Sequence, residues 1–128
     1  MTADTRELYQ LANAVTRHLP EAERDMAAVV TRGALNVKNG WRANAVASAG
    51  RHARLYPYSI SYDVRPFPGG AQAEIGPDKD RPQGALGNLL EYGSSTNRPH
   101  NDGGRALLAE APRFAAQALA ITNRLGRL

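Results

Sequence analysis

Residues 58–76 read YSISYDVRPFPGGAQAEIG, and this stretch decides the fold. Apolar and polar residues alternate on both sides of the proline- and glycine-rich run at 66–70. Alternation with a period of two is typical of half-buried β-strands, and a run of this composition is typical of a turn. We therefore predict an antiparallel hairpin with strands at about 58–65 and 71–76.

Upstream of the hairpin the apolar residues follow a helical period. They predict a first helix at about 4–18, capped by Asp4 or Thr5. Pro20 is expected to end that helix and to open a second one at about 20–49. The predicted inner face of the second helix consists of Met26, Val29, Val30, Gly33, Ala34, Val37 and Trp41.

Downstream of the hairpin we predict two polar loops, at 77–85 and 93–104. The short apolar segment between them fits either a turn of helix or a third strand. A final helix is predicted at about 105–125, with Asp102 as its cap and with Pro112 either kinking it or starting a new helix. Its apolar residues repeat every seven positions, as in a helix-packing seam: Leu107, Ala111, Phe114, Ala118, Ile121, Leu125 and Leu128.

A chain of 128 residues predicts a single domain, 1–128, of the α+β class. In it, two N-terminal helices and a C-terminal helix pack on a small antiparallel β-sheet. Of the 54 hydrophobic residues 22 are alanine, which buries little area. A chain of this length also hides only about two-thirds of its unfolded surface. We therefore expect a thin core, with stability completed by association with other copies.

Composition and motifs exclude several kinds of site. The absence of cysteine excludes disulfides, thiolate metal sites and a cysteine nucleophile. No apolar run approaches the roughly 18 residues of a membrane span, and the first residues lack the pattern of a signal peptide. Phosphate-loop, zinc-protease and serine-hydrolase motifs are missing, and His18, His52 and His100 are far apart in sequence. We expect no enzyme activity, metal, cofactor, membrane contact or small-molecule substrate.

The stretch from Met26 to Tyr62 contains no acid. It could contact an acidic protein surface or nucleic-acid phosphates, or it could be the solvated side of a helix. Trp41 and Tyr56 flank the basic residues, as aromatic residues do where bases stack, but Trp41 also falls on the predicted inner face. The candidate contacts are Arg32, Lys38, Arg42, Arg51 and Arg54.

Three motifs, in order, resemble those of a known family. Tyr58-Ser59-Ile60 opens the first strand, Ile75-Gly76-Pro77 ends the second, and Glu91-Tyr92-Gly93-Ser94 precedes the last loop. With the order of helices, they resemble the neck, or head–tail joining, proteins of long-tailed bacteriophages, the putative tail-component family of lambda-like phages. The resemblance covers about residues 5–122. It departs from the family pattern at Arg98-Pro99-His100, where a proline–phenylalanine pair is usual.

The resemblance implies a non-catalytic α+β virion protein at the head–tail joint, as a neck, connector or tail-completion component. It implies ring-like, six-fold self-association and contact with other connector and tail proteins, and it implies that the only nucleic acid met is the passing genome. The protein would be in the virion, and in the host cytoplasm during assembly. The expected docking residues are Glu91, Tyr92, Gly93, Ser94, Arg98, His100 and Asp102.

Within this segment Gly93 is expected to adopt a positive φ and Tyr92 to anchor the chain. The loop from Ser94 to Gly103 would then act as a docking arm that orders on contact with an adjacent copy or ring. Two rival functions stay open. One is a small basic nucleic-acid-binding protein; the other is a toxin or hydrolase that works through His100, Asp102 and Glu91.

Overall fold

The computed structural model describes residues 5–127, without the side chains at 5, 11, 12, 15 and 16. The predicted cap Asp4 and the last seam residue, Leu128, lie outside the described residues. The predicted α+β class is confirmed. The elements in chain order are α1 (Thr5–Ser48), 3₁₀ turns at Arg51–Ala53 and Tyr56–Ser59, β1 (Ile60–Phe67), β2 (Gly70–Pro77), a 3₁₀ turn at Gly84–Leu86, α2 (Gly87–Tyr92) and α3 (Asp102–Gly126).

The predicted break between two N-terminal helices is wrong, because α1 runs through Pro20 without interruption. Proline removes one helical hydrogen bond and crowds the preceding turn. Pro20 is exposed, and the helix-favouring residues on both sides complete the bonds of the neighbouring turns. Continuity of α1 places His18 one turn before Glu21, with its Nδ1 atom 3.7 Å from the carboxylate.

Helices α1 and α3 pack antiparallel along most of α3. Arg124 contacts Asp25 at one end of the pair, at 3.3 Å. In the middle, a Cβ atom at Gly33 would lie 3.0 Å from the Phe114 ring, so the helices approach closely there. Small residues on the facing surfaces allow this approach.

The C-terminal helix begins at Asp102, three residues earlier than predicted, and Asn101 occupies the cap position predicted for Asp102. Pro112 is exposed inside one continuous helix, so the predicted kink or restart is wrong. The first part of the predicted seam is wrong too, because Leu107 is 57% exposed. The buried face passes through Ala106 instead, where its small side chain lies against Gly40.

The hairpin is confirmed, but β1 lies two residues later than predicted, while β2 is one residue longer at each end than predicted. Tyr58 and Ser59 belong to a 3₁₀ turn, because the Arg42 guanidinium binds the carbonyl oxygens of Pro57 and Ile60, each at 3.1 Å. The β-turn contains only Pro68 and Gly69, since Phe67 pairs directly with Gly70.

The two faces of the hairpin differ in polarity. The apolar face packs on α1 at the base of the hairpin, where Ile60 joins a buried apolar cluster with Ala45, Ala53 and Tyr56. Trp41, Ala49, Ile75, Leu86 and Leu90 pack around this cluster. The segment that fitted either a helix or a strand is helical, as the 3₁₀ turn and α2.

The core is small, in agreement with the alanine-rich composition. Four of the eight buried apolar residues in the described chain are alanine. None of the described helices combines the length and hydropathy that a membrane span requires.

Candidate functional site

The predicted docking residues lie on the loop that joins α2 to α3, residues 93–101, and on the helix ends that flank it. Gly93 leaves α2 with a φ of +78°, which confirms the predicted positive φ. A Cβ atom there would lie 2.7 Å from the Asn97 carbonyl oxygen and from the Pro99 nitrogen. Only glycine fits this position without displacing the loop.

The second half of the loop is bound to α2 by backbone hydrogen bonds. The His100 N–H donates to the Leu90 carbonyl oxygen at 2.8 Å, and the Asn101 N–H donates to the Glu91 carbonyl oxygen at 3.1 Å. The exposed tip, residues 94–98, is closed by a bond from the Ser94 N–H to the Asn97 carbonyl oxygen at 2.9 Å. The loop is therefore exposed at this tip and bound to α2 behind it.

Glu91 connects α2 to the start of α3. Its carboxylate is buried, and both oxygens accept the Gly103 N–H at 3.0 Å. A carboxylate at a helix N-terminus satisfies a free N–H and interacts favourably with the helix dipole. The contact needs glycine, since a Cβ atom at 103 would lie 2.7 Å from both Glu91 and the Trp41 ring.

Asp102 connects the loop to α1. Its side chain is 2% exposed; Oδ2 accepts the Ser48 hydroxyl and Oδ1 accepts the Arg105 guanidinium, each at 2.7 Å. The Asn44 amide donates to its carbonyl oxygen at 2.9 Å. The Nδ1 atom of His100 lies 3.1 Å from the Ser48 hydroxyl and 3.8 Å from the Asp102 carboxylate.

We call Ser48, Glu91, His100, Asp102 and Gly103 the loop-anchor cluster. It contains the three residues of the hydrolase interpretation and places His100 beside Asp102. The Ser48 hydroxyl, however, lies between the imidazole and the carboxylate. In a serine nucleophile triad the imidazole lies between the hydroxyl and the carboxylate, so that it can remove the hydroxyl proton. The observed order holds the loop in place.

Two polar groups lie unpaired beside this cluster. The Trp41 indole N–H and the Tyr56 hydroxyl are both buried, and neither forms a hydrogen bond with a described residue. Burial raises the pKa of Tyr56 above its usual 10.0, while the nearby indole N–H acts in the opposite direction and the carboxylates of Glu91 and Asp102 add to the rise. Tyr56 is therefore held in its neutral form.

This raised pKa gives a prediction for alkaline solution. Folded Tyr56 keeps its proton above pH 10 while the unfolded chain releases it, so stability falls as the pH rises through that range. We expect Tyr56→Phe to flatten this fall. At pH 7 it should change the free energy of unfolding by no more than about 1 kcal/mol, because the lost hydroxyl has no partner. Chemical denaturation at pH 7 and pH 10.5 measures both effects, and a substitution that costs more than about 3 kcal/mol at pH 7 would contradict the prediction.

The structure divides the predicted docking residues into two groups. Glu91 and Asp102 are buried, so their carboxylates cannot contact another molecule while the loop is bound as described. Tyr92 is 76% exposed, so the prediction that it anchors the segment is wrong. In a single turn of helix the buried side is taken by Leu90 and Glu91, and the next residue points outward. The accessible members are Tyr92, Ser94 and Arg98.

The five candidate cations of the basic stretch also fall into two groups, those engaged within the chain and those that are exposed. Arg42 binds backbone carbonyl groups and lies over the Tyr58 ring at 5.7 Å, and Lys38 lies over the Tyr62 ring at 5.5 Å. These two cations stabilise the packing of the hairpin on α1. Arg32, Arg51 and Arg54 are exposed, and Arg32 lies on mid-α1, far in sequence from the other two.

Sequence reasoning missed the contribution of α1 to this site. Ser48 and Asn44 lie four residues apart, on one face of α1, and both bind Asp102. That spacing is a signal, but their partner is 54 residues or more away in sequence. No group of three or more potential metal ligands occurs in the part of the chain that the structure describes. The chain matches no family model, no curated protein and no solved structure.

Proposed function

We propose that this protein is a structural component of the head–tail joint of a tailed phage or phage-derived particle. It acts by assembling into a ring, as a neck, connector or tail-completion protein. The motif resemblance supports this role. So does the site, in which buried carboxylates hold a loop and present its polar tip.

The observation that carries the proposal is the distribution of large apolar side chains. Half of the buried apolar residues are alanine, whereas two leucines of α3 are exposed to solvent. Leu108 is 74% exposed and Leu119 is 59% exposed. Together with Ala111 and Ala115 they form a stripe at helical spacing that we call the outer α3 face. A contiguous exposed apolar surface marks an interaction site.

No charged side chain interrupts the outer α3 face. Between Leu108 and Leu119 the charged residues of α3 are Glu110, which is buried, and Arg113, which lines a groove shared with α1. The alanines between the leucines allow a second helix to approach closely. A second copy of the chain, which has the same excess of exposed apolar surface, suits this face.

Ring assembly gives such a surface its function. A contact that recurs by rotation closes a ring when the rotation divides the circle, and the gain at each interface adds to a small core. The loop tip at 94–98 would then be presented once per copy around the ring. Its rigid base, in the loop-anchor cluster, keeps the tips in register for a neighbouring layer.

The test is the mass of the purified chain. We expect an oligomer at micromolar concentration in native mass spectrometry and sedimentation velocity. Leu108→Asp with Leu119→Asp should give a folded monomer with an unchanged circular-dichroism spectrum. Asn39→Asp is the control, because it adds a charge at an exposed polar position of α1, away from the outer α3 face. Monomeric wild-type protein, or equal loss of assembly in the control, would contradict the proposal.

The same samples test the nucleic-acid rival. Retention of duplex DNA at low salt by the monomeric double variant, together with a wild-type chain that never assembles, would favour that rival. The proposed function expects no such retention, because two of the five candidate cations are engaged within the chain.

A further inference from the structure

Among the described residues, 5–127, the sheet has two strands, so each strand has one edge without a partner strand there. The strands pair in a register that places Tyr62 opposite Ile75 and Val64 opposite Ala73. The Asp78 N–H donates to the Ser59 carbonyl oxygen at 2.8 Å, which sets the alternation of the ladder. In an antiparallel ladder, alternate pairs exchange hydrogen bonds and the pairs between them turn their backbone groups outward.

This alternation identifies the residues whose backbone N–H and C=O groups point away from the partner strand. They are Tyr62 and Val64 on β1, and Ala71, Ala73 and Ile75 on β2. No backbone hydrogen bond outside the hairpin ladder reaches any of the five from another described residue. An isolated two-stranded sheet is marginal in water, and an unpaired edge is a template for another strand.

Charges on the polar face of the hairpin give each edge a preferred partner. Asp63 lies directly opposite Glu74, and like charges in that position destabilise a strand pair. Arg65 contacts Asp63 at 3.4 Å, but it lies opposite Gln72 and leaves Glu74 without an opposite cation. The acid that lacks a cation is therefore on β2, and the exposed cation is on β1.

We propose that β2 of one copy pairs antiparallel with β1 of the next copy, with Glu74 opposite Arg65 of that copy. The inference rests on the self-assembly proposed above, and it adds a second contact between copies to the one proposed at the outer α3 face. In this register Ile75 meets Val64 of the next copy, and their outward groups exchange two hydrogen bonds. Residues of equal polarity stay on the same face, so the apolar face of the hairpin continues from copy to copy.

The prolines fit this short ladder. Pro66 would lie opposite Ala73 of the adjacent copy, and Pro77 would lie opposite Tyr62 of the adjacent copy. Each proline accepts one hydrogen bond and donates none, so the ladder ends on both sides of the central pair. Proline at a sheet edge also discourages open-ended aggregation.

Head-to-tail pairing uses both free edges of every copy. A pairing of two β1 edges would give a two-fold dimer and leave both β2 edges open. Repetition of the β2–β1 contact by rotation produces a sheet that closes on itself, which is the arrangement that removes edges altogether. It is also the symmetry that a ring requires.

Charge reversal separates assembly from folding. Glu74→Arg places a cation opposite Asp63 within the chain, so we expect an equal or higher unfolding temperature. Between copies it opposes Arg65, and the concentration needed for half-assembly should rise about fivefold per contact. Glu74→Arg with Arg65→Glu should restore assembly. Glu23→Arg, an equal charge change on exposed α1, is the control and should assemble like wild type.

Sedimentation velocity over a concentration series measures the assembly of the wild type and the three variants, and thermal denaturation shows whether each is folded. Wild-type assembly with loss in Glu74→Arg and recovery in the double variant supports β2–β1 pairing. Assembly of Glu74→Arg at the wild-type concentration overturns it while leaving the ring proposal standing. A defect that the second substitution does not repair overturns it too. A wild-type chain that stays monomeric overturns both.

Discussion

Gly103→Ala is expected to lower the free energy of unfolding by about 3 kcal/mol. A methyl group at this position would lie 2.7 Å from the Trp41 ring and from the Glu91 carboxylate. Both neighbours are packed, and the Gly103 N–H that Glu91 binds would move with them. The substitution therefore combines overpacking with the loss of a buried, charge-assisted hydrogen bond.

Gly126→Ala is the matched control in the same helix. No atom lies within 4 Å of a Cβ atom at 126, and alanine is the better helix former, so stability should stay equal or rise by up to about 1 kcal/mol. Urea denaturation of both variants in the Leu108→Asp, Leu119→Asp background separates folding from assembly. Equal stability of the two alanine variants would mean that the start of α3 is not packed as described.

Asp102→Ala is also expected to lower the free energy of unfolding by about 3 kcal/mol. The carboxylate accepts hydrogen bonds from Ser48 and Arg105 and lies in the first turn of α3, where a negative charge is favoured. Its removal leaves the Ser48 hydroxyl and the His100 imidazole without their acidic partner. The loop should loosen, with faster amide hydrogen exchange at His100 and Asn101.

The other end of the same ion pair provides the control. The Arg105 side chain is more than half exposed. Arg105→Ala should therefore lower the free energy of unfolding by less than about 1 kcal/mol. Urea denaturation of the two variants, with hydrogen exchange on the loop amides, measures the difference. If Arg105→Ala is as destabilising as Asp102→Ala, the surface ion pair and not the buried contact with Ser48 holds the loop.

The hairpin and the helices could be predicted because their signals are local. Alternation around residues 66–70 depends only on which side chains face the core, and the positive φ of Gly93 depends only on its immediate neighbours. The predicted ends of the strands were less accurate. Strand β1 starts later than predicted because the Arg42 guanidinium binds carbonyl groups 15 and 18 residues away. Local periodicity contains no information about such a contact.

The two prolines inside helices show a second limit of prediction from local sequence. Pro20 and Pro112 predicted a break and a kink, and both helices continue through them. A proline costs about 3 kcal/mol in a helix interior. Helix α3 packs along α1, and this tertiary contact outweighs the local preference at Pro112.

The amino-acid sequence by itself determined the α+β class, the hairpin, an alanine-rich core and the glycine that begins the loop, because each depends on neighbouring residues and on composition. The tertiary structure alone decided that Ser48, Glu91 and Asp102 meet, that Tyr92 points outward, and that both sheet edges stay open. These features depend on the distance and angle between elements that are far apart in the chain. Packing sets that geometry, and it determines which polar groups are buried and which are left for a partner.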